Sequence, residues 1–329
     1  MAKSVRMADI AQKLGISIVS VSKGLSGKEG VSDEMRARIL ATAREMGYQM
    51  PARAEAPAQR SANIGILVAD RHFDDSAFYS SLYRAVVNRC GSLGYNCMLE
   101  IVMPPAEESC TMPTLLTSRK VDALIFMGEL RRRYLSTALQ YSLPFMFLDF
   151  YDDAIAGDSV LSDNTSGGYQ MTEHLLQTGR TRIGFVGSIQ ATSSIMDRYL
   201  GYCRALLMAG IEPRPDWRLE ARGPDGHWIP FTLPKEMPDA FVCNCDEVAF
   251  NLVERLKREG YEIPRDIAVT GYDDYRFSTI SRPQLTSYRI DVEGMAAAVV
   301  AQLRRKLNGK APLAPTTLVP GAFVRREST

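Results

Sequence analysis

The hydrophobic pattern at the start of the chain predicts two short helices joined by a tight turn, within residues 7–26. Ile10 and Leu14 lie four positions apart, on one face of the first helix. Gly15 is typical of a helix end, and Ser17 is a favoured N-terminal cap for the second helix. Two helices joined by such a turn form a helix-turn-helix, whose second helix enters the major groove of DNA. An ordinary helical pair in a bundle is the alternative.

The second helix has two chemically different faces. Val21 and Leu25 are four residues apart and are expected to pack against the first helix. This packing leaves Ile18, Val19 and Lys23 on the outer side, together with several serines. An outer face with hydroxyls, a cation and two apolar side chains favours DNA contact over burial in a bundle.

A third helix and a linker complete the N-terminal module. Ser32 is expected to cap the third helix and Gly47 to end it, which gives a three-helix headpiece over residues 1–48. Residues 49–61 are small, polar and proline-rich, so they cannot bury a core and are predicted to be a hinge or linker. Pro57 would break a helix that continued through this segment.

From residue 62 the pattern changes to strands alternating with amphipathic helices. This alternation predicts an α/β core of doubly wound, mostly parallel sheets with helices on both faces. It restarts near residue 160. We therefore predict an N-lobe at about 62–160 and 291–319, and a C-lobe at about 161–290 and 320–329. Ligand groups are expected at the carboxyl ends of the strands, in a cleft between the lobes.

The distribution of charge along the chain supports contact between the N-terminal module and nucleic acid. The chain of 329 residues has a formal net charge of +1. Residues 1–61 hold ten Lys and Arg against six Asp and Glu, whereas the remaining residues hold 29 against 32. A basic module on a slightly acidic body fits contact with nucleic acid at one end only.

Other compositional features argue against several function classes. The six cysteines show no framework or metal-site spacing, which predicts reduced thiols and neither a metal nor a cofactor. The three histidines are far apart and no common catalytic motif occurs, so we do not expect an enzyme. No run approaches 18 apolar residues and no export signal opens the chain, which predicts a cytoplasmic protein without a membrane span.

The order of several motifs resembles the LacI/GalR family of bacterial transcriptional regulators over essentially the whole chain. The motifs are ADIAQKLGIS, SVSKGLSG, VSDEMRARILATAREMGY, SDNTSGGYQMTEHLLQTGRTRIGFVG, DRYLGYCRALL, DAFVCNCDEVA, DIAVTGYDD and FVRREST. The resemblance implies a helix-turn-helix headpiece and a core like a type I periplasmic binding protein. It also implies a homodimer on a pseudo-palindromic double-stranded DNA operator, controlled by a small molecule in the cleft.

The resemblance also assigns DNA-binding positions. Ile18, Val19 and Lys23 match base-reading positions, and the first two would touch thymine methyl groups because they cannot donate hydrogen bonds. Ser17, Ser20 and Ser22 match positions that contact phosphates. Ser26 and Arg36 complete the expected DNA-binding set. One departure concerns the hinge, which lacks the leucine that family members usually insert into the minor groove.

Seven residues are expected at the effector cleft. Two of them, Arg198 and Asp273, combine a rigid donor fork with a carboxylate acceptor, which suits paired hydroxyls. The full set is Phe78, Tyr79, Asp163, Arg198, Trp228, Asp246 and Asp273. A sugar or oligosaccharide is the expected ligand. The alternatives are a purine-like corepressor, a phosphoprotein partner, or a solute-binding protein without a DNA role.

Overall fold

The structure is a computed structural model whose described residues are 5–26, 30–48, 61–73, 77–223 and 229–329. The chain divides into two compact units, residues 1–60 and 61–329. Residues 49–60 of the predicted linker and Trp228 lie outside the described residues, as does the side chain of Ser26.

The first unit contains the three predicted helices, α1 (Met7–Leu14), α2 (Ile18–Ser26) and α3 (Asp33–Glu45). Gly15 ends α1 in the left-handed conformation, with φ 68°, which a glycine adopts without strain. Ser17 Oγ accepts a hydrogen bond from Ser20 N at 3.0 Å, and Ser32 Oγ accepts one from Met35 N at 3.3 Å. The predicted caps of the second and third helices are therefore confirmed.

A small apolar core joins these helices. Ile10 of α1, Val21 of α2 and Ile39 of α3 are completely buried and form its centre. Leu14 and Leu25 pack against this centre and are partly buried. The predicted packing of the second helix on the first is therefore confirmed, and α3 closes the core from the other side.

The second unit begins with alternating strands and helices, as the sequence predicts. They are β1 (Asn63–Ala69), α4 (Asp70–Phe73), α5 (Ala77–Ser92), β2 (Asn96–Val102), α6 (Pro104–Ser109), α7 (Thr114–Thr117), β3 (Ala123–Met127), α8 (Arg132–Ala138), β4 (Phe145–Leu148) and β5 (Ser159–Ser162). The elements that follow are α9 (Asn164–Gln177), β6 (Ile183–Val186), α10 (Ser193–Met208), β7 (Arg218–Leu219), β8 (Ala240–Cys243), α11 (Asp246–Arg258), β9 (Ala268–Thr270), α12 (Arg276–Ile280), β10 (Ser287–Arg289), α13 (Val292–Leu307), β11 (Thr316–Val319) and β12 (Ala322–Val324).

These strands form two parallel sheets, one in each lobe. The N-lobe sheet has six strands in the order β11-β5-β4-β3-β1-β2, and all its pairs are parallel. The C-lobe sheet has four parallel strands in the order β7-β6-β8-β9. A small antiparallel pair, β10 with β12, completes the C-lobe. The last part of the chain thus contributes α13 and β11 to one lobe and β12 to the other.

The structure differs from the predicted elements in a few places. The predicted lobe boundary near residue 160 cuts β5, whereas β5 lies wholly in the N-lobe sheet because it pairs with both β4 and β11. The short elements α4, α6, α12 and β10 were not predicted, since each is too short to show a hydrophobic period. Residues 229–238 form no helix, as their prolines led us to expect.

Two glycines allow α9 and α10 to approach very closely. A Cβ at Gly168 of α9 would lie 2.1 Å from the Arg198 carbonyl oxygen, and one at Gly201 of α10 would lie 2.1 Å from the Thr165 carbonyl oxygen. Only hydrogen atoms at these two positions leave room for this backbone contact. The close packing fixes α10 and therefore the backbone that carries Arg198.

No helix among the described residues is long and apolar enough to cross a membrane.

Candidate functional site

A cleft of about 900 Å³ opens between the two lobes of the 61–329 unit. Its walls are the loops that follow β1, β3 and β4 of the N-lobe and β6, β7, β8 and β9 of the C-lobe, together with the first turns of α5 and α10. The carboxyl ends of parallel strands thus face a common space, as expected for this topology. We call this space the interlobe cleft.

Arg198 is held rigidly in the wall of the interlobe cleft. Its Nε donates to Asn164 Oδ1 at 2.8 Å, and its Nη1 donates to the Asn244 carbonyl oxygen at 2.6 Å. The same Nη1 lies 3.4 Å from Asp273 Oδ1. The guanidinium carbon lies 3.8 Å from the centre of the Tyr272 ring, in a cation–π contact. These contacts set the direction of the remaining guanidinium N–H groups, which a Lys side chain would not do.

Two buried carboxylates flank Arg198. Burial raises the pKa of Asp149 to about 6, although Arg198 and the Tyr79 hydroxyl partly offset it. Burial also raises the pKa of Asp273 to about 7, against the opposing charge of Arg198. The Tyr79 hydroxyl donates to Asp149 Oδ2 at 2.8 Å. One guanidinium therefore compensates two carboxylates only in part, and both titrate near neutral pH.

The backbone at both carboxylates has a rare conformation. Asp149 has φ 67° and Asp273 has φ 96°, in the region that favours glycine. Such a residue costs on the order of 1 kcal/mol and persists where the surrounding structure holds it in place. Strain of this kind at two cleft residues is typical of a binding site.

Two acceptor atoms in the interlobe cleft lack a hydrogen-bond partner. Asp149 Oδ1 and Asn244 Oδ1 are buried, and neither is bonded by any described residue in normal geometry. A buried acceptor without a partner costs about 1–3 kcal/mol, so a ligand that donates hydrogen bonds would recover this free energy. Hydroxyl groups are the simplest such donors.

His72 contributes a neutral imidazole to the cleft wall. Its Nε2 lies 2.9 Å from the Glu129 carbonyl oxygen, which only accepts, so Nε2 carries the proton. Burial lowers the pKa of His72 to about 3, with a further contribution from Arg71. The imidazole is thus uncharged at neutral pH.

The start of α10 connects the two lobes beside the cleft. Ser193 N donates to Glu129 Oε2 at 2.9 Å, and Ser194 Oγ donates to the Asp149 carbonyl oxygen at 2.8 Å. The Tyr151 hydroxyl donates to Asp197 Oδ1 at 3.2 Å. A carboxylate on the positive end of a helix is favourable, so Glu129 holds α10 against the N-lobe.

Of the residues that the sequence predicts at the cleft, some line it in the structure and others do not. Phe78, Tyr79, Arg198 and Asp273 line the interlobe cleft together. Asp246 also lines it, but its carboxylate oxygens are occupied by two donors, described below. The seventh expected residue, Trp228, lies outside the described part of the chain.

Two of the expected aspartates serve mainly as structural acceptors. Asp246 Oδ1 accepts from Ser287 Oγ at 2.6 Å, and Oδ2 accepts from Tyr275 N at 2.6 Å. Asp163 caps α9 through a bond from Ser166 N to its Oδ1 at 3.1 Å, and it is not among the described residues that line the cleft.

Sequence reasoning did not name Asp149 and Asn244 as cleft residues. Each directly follows a buried strand, β4 or β8, and that position is the signal that points to them. The signal is weak by itself, since several other polar residues also follow strands.

The headpiece presents Ile18 and Val19, two of the expected reading residues, at the start of α2. The side chains of Ile18 and Val19 are 52% and 64% exposed, so neither packs into the headpiece core. Ser17 and Ser22 are exposed, whereas Ser20 is half-buried. Lys23 and Arg36 are half-buried and lie on α2 and α3. Apolar side chains exposed in this way have the chemistry to pack against thymine methyl groups in a major groove.

Comparison with known proteins matches both units to known sequence families. Residues 6–50 match the model for bacterial regulatory proteins of the lacI family, and residues 172–329 match the model for a periplasmic binding protein-like domain. The chain is 28% identical to the HTH-type transcriptional regulator RegA of Clostridium saccharobutylicum, with 100% of both proteins covered. It is 26% identical to the ribose operon repressor of Haemophilus influenzae, with 98% of both covered.

Solved structures share the fold at lower identity. The transcriptional regulator CelR–cellobiose complex aligns with TM-score 0.72 and 21% identity, covering 99% of this chain and 100% of that one. The lac repressor dimer bound to operator and the anti-inducer ONPF aligns with TM-score 0.68 and 22% identity, covering 99% of each chain.

Proposed function

The chain belongs to the LacI family of bacterial transcriptional regulators, and from that premise we propose that it binds a palindromic operator as a homodimer and responds to a sugar or oligosaccharide in the interlobe cleft. Its named relatives are transcriptional regulators and repressors, so the chain is a regulator and not an enzyme. The effector, the operator symmetry and the dimer are the proposed parts.

The pair of unpartnered acceptors, Asp149 Oδ1 and Asn244 Oδ1, carries the sugar proposal. A polyol offers several O–H donors at short spacing and accepts in return from the guanidinium of Arg198. Phe78 and Tyr79 add aromatic surface on which the C–H face of a sugar ring can pack. The volume of about 900 Å³ is at the upper end of the usual range for ligand sites and leaves room for more than one sugar ring.

A thermal-shift screen tests the effector class. We expect mono-, di- and oligosaccharides to include at least one compound that raises the unfolding temperature in a saturable way. Hypoxanthine and guanine serve as the purine arm of the same screen. Stabilisation by a purine alone would replace the sugar proposal with a corepressor.

Footprinting tests the DNA-binding part of the proposal. The protein should protect a palindromic site of about 14–20 base pairs upstream of its own gene or a neighbouring one, because the half-sites of a two-fold dimer lie about one helical turn apart. Protection of a single asymmetric half-site would contradict the dimer. If no site is protected, the proposal that the protein binds an operator near these genes is wrong.

Removal of thymine methyl groups from the operator should weaken binding. Ile18 and Val19 are exposed and apolar, so we expect them to bury methyl groups in the major groove. Replacing each contacted thymine by uracil should cost about 0.8 kcal/mol, or about fourfold in affinity. In the double variant Ile18→Ala, Val19→Ala the same replacement should have no further effect. An equal loss in wild type and variant would show that the methyl groups are contacted by other residues.

Effector affinity should fall as the pH is lowered from 8 to 5. Burial raises the pKa of Asp149 to about 6 and that of Asp273 to about 7 in the free protein. Ligand hydroxyls donate to ionised carboxylates, so bound ligand lowers both pKa values and its binding releases protons. The affinity is therefore highest above pH 7 and falls by up to about tenfold per pH unit for each carboxyl that must lose a proton. Titration calorimetry in buffers of different ionisation enthalpy would measure the proton release.

The variant Asp273→Asn provides a matched test of this profile. It removes the carboxyl that titrates at the higher pH, so the remaining pH dependence should move to the region near pH 6. An affinity that is constant from pH 8 to 5 in the wild type would contradict the assignment of these carboxylates to the ligand.

A further inference from the structure

Asp149 is a buried carboxylate in the wall of the interlobe cleft, and one of its two oxygens has no donor. The residue is only 4% exposed. The Tyr79 hydroxyl donates to Oδ2 at 2.8 Å, whereas Oδ1 accepts no hydrogen bond from the described residues in normal geometry. Ser194, the nearby hydroxyl, uses its single proton on the Asp149 carbonyl oxygen at 2.8 Å. Oδ1 is therefore open to a donor that comes from a ligand.

The charge of Asp149 is also not matched by an ion pair. No basic nitrogen of the described residues lies within 4.0 Å of its carboxylate. The buried guanidinium of Arg198 lies 3.4 Å from Asp273 and donates to Asn164 and to the Asn244 carbonyl. Burying an ionised carboxylate is costly unless a cation pairs with it.

The described residues that line the interlobe cleft hold more carboxylates than guanidiniums. They include seven Asp and Glu residues and six Arg residues. Two of those arginines, Arg71 and Arg131, contact the buried carboxylate of Glu107, which lies behind the wall and is not among the lining residues. The imidazole of His72 is uncharged and adds no positive charge. The cleft thus has an excess of negative charge, with Asp149 at an open acceptor.

We propose that the effector carries a primary ammonium group that pairs with Asp149 Oδ1, so that it is an amino sugar or an oligosaccharide containing one. An ammonium group offers three N–H donors and a compact positive charge, whereas a hydroxyl offers a donor without the charge. Hydrogen bonds between two charged groups are about twice as strong as those between neutral groups. The second open acceptor, Asn244 Oδ1, is neutral and suits a ring hydroxyl. The described residues contain no group of three or more His, Cys, Asp or Glu that could hold a metal ion, which favours an organic cation.

Calorimetric titration with matched sugars tests this inference, which rests on the proposed sugar effector. Glucose, glucosamine and N-acetylglucosamine differ only in the group on carbon 2, and the corresponding galactose series and β-1,4-linked glucose dimers are titrated in the same way. At pH 7 the sugar amine is mainly protonated and Asp149, whose pKa is about 6, is mainly ionised. We expect the best amine to bind about tenfold more tightly than its hydroxyl counterpart, and the acetylated form to lose this advantage.

The variant Asp149→Asn removes the charge and keeps an oxygen acceptor. Asparagine also tolerates the left-handed backbone at this position, where φ is 67°. The affinity ratio between amine and hydroxyl sugars should fall from about ten to about one, since only the charge-assisted part of the bond is lost. Asp153→Asn is the matched control, because Asp153 follows in the same loop, is exposed and is not among the described lining residues. It should keep the wild-type ratio.

The outcomes separate this inference from the proposed function. If amino sugars do not bind, or bind no more tightly than their hydroxyl counterparts, or keep their advantage in Asp149→Asn, the ammonium group is wrong. Binding of the neutral sugars in the same titrations would then leave the sugar effector intact. A response to purines alone would overturn both. If Asp149→Asn does not fold, the comparison of the three carbon-2 groups in the wild type decides.

Discussion

Replacing Arg198 by Ala is expected to abolish the thermal stabilisation that a bound sugar gives the protein. The substitution removes the only guanidinium that bonds to Asn164, the Asn244 carbonyl and Asp273 in the described structure. Asp149 and Asp273 lose the cation that partly offsets their burial, so the pKa values of both rise further. A hydrogen bond from a charged group is worth about 1.5–3 kcal/mol, so loss of the bond from the guanidinium to the ligand should reduce the affinity about 10- to 150-fold.

The variant Arg198→Lys separates charge from geometry. Lysine keeps the positive charge but cannot donate in the directions of Asn164 and Asn244 at the same time. We expect it to retain part of the charge compensation and still lose most of the affinity for a polyol. Full affinity in Arg198→Lys would show that only the charge matters.

Arg204→Ala is the matched control. Arg204 lies on the same helix, is exposed, and stacks over Tyr169 with its guanidinium carbon 5.4 Å from the ring centre. Its removal should leave the sugar-induced shift unchanged. In a DNA-binding assay, Arg198→Ala should bind operator with an affinity that no longer responds to the effector. A normal effector response in that variant would remove Arg198 from the ligand site.

The predictability of this molecule from its sequence depends on how local each signal is. The turn at Gly15 and the caps at Ser17 and Ser32 are made by residues within three or four positions of each other, so the headpiece helices could be placed accurately. The start of α13, Val292–Leu307, is likewise set locally, because Asp291 Oδ1 accepts a hydrogen bond from Gly294 N at 2.9 Å. The alternation of strands and helices along the chain was sufficient to predict the two parallel sheets.

The cleft is less predictable because its residues are brought together by distant pairings. Asp246 looks like a ligand residue in the sequence, yet Ser287 from β10 bonds its carboxylate, and β10 was not predicted. Asn244, two residues earlier, instead has a free side-chain oxygen among the described residues and bonds Arg198 through its carbonyl. Asp149 lies at the cleft because the end of β4 packs beside α10, where Ser194 bonds its carbonyl oxygen. Side-chain direction after a strand depends on where that strand stops, which the sequence does not define.

Replacing Ile39 by Ala is expected to abolish specific DNA binding while leaving effector binding intact. Ile39 is fully buried at the centre of the headpiece core. It also supports the reading helix directly, since a Cβ at Gly24 of α2 would lie 2.5 Å from Ile39 Cδ1. Truncation of a buried Ile to Ala costs about 2–5 kcal/mol. A domain of this size has a total stability of only a few kcal/mol, so the loss is enough to unfold the headpiece.

Leu40→Ala is the control for this experiment, because Leu40 is the next residue of α3 and is 36% exposed. Its truncation should leave DNA affinity within a few-fold of wild type, since exposed substitutions change stability by about 0.5 kcal/mol or less. Gel-shift assays measure operator binding, and the thermal shift with effector reports on the 61–329 unit in the same protein. Because the headpiece and the core are separate compact units, Ile39→Ala should keep that shift unchanged. Wild-type operator affinity in Ile39→Ala would mean that α2 reads DNA without the three-helix core behind it.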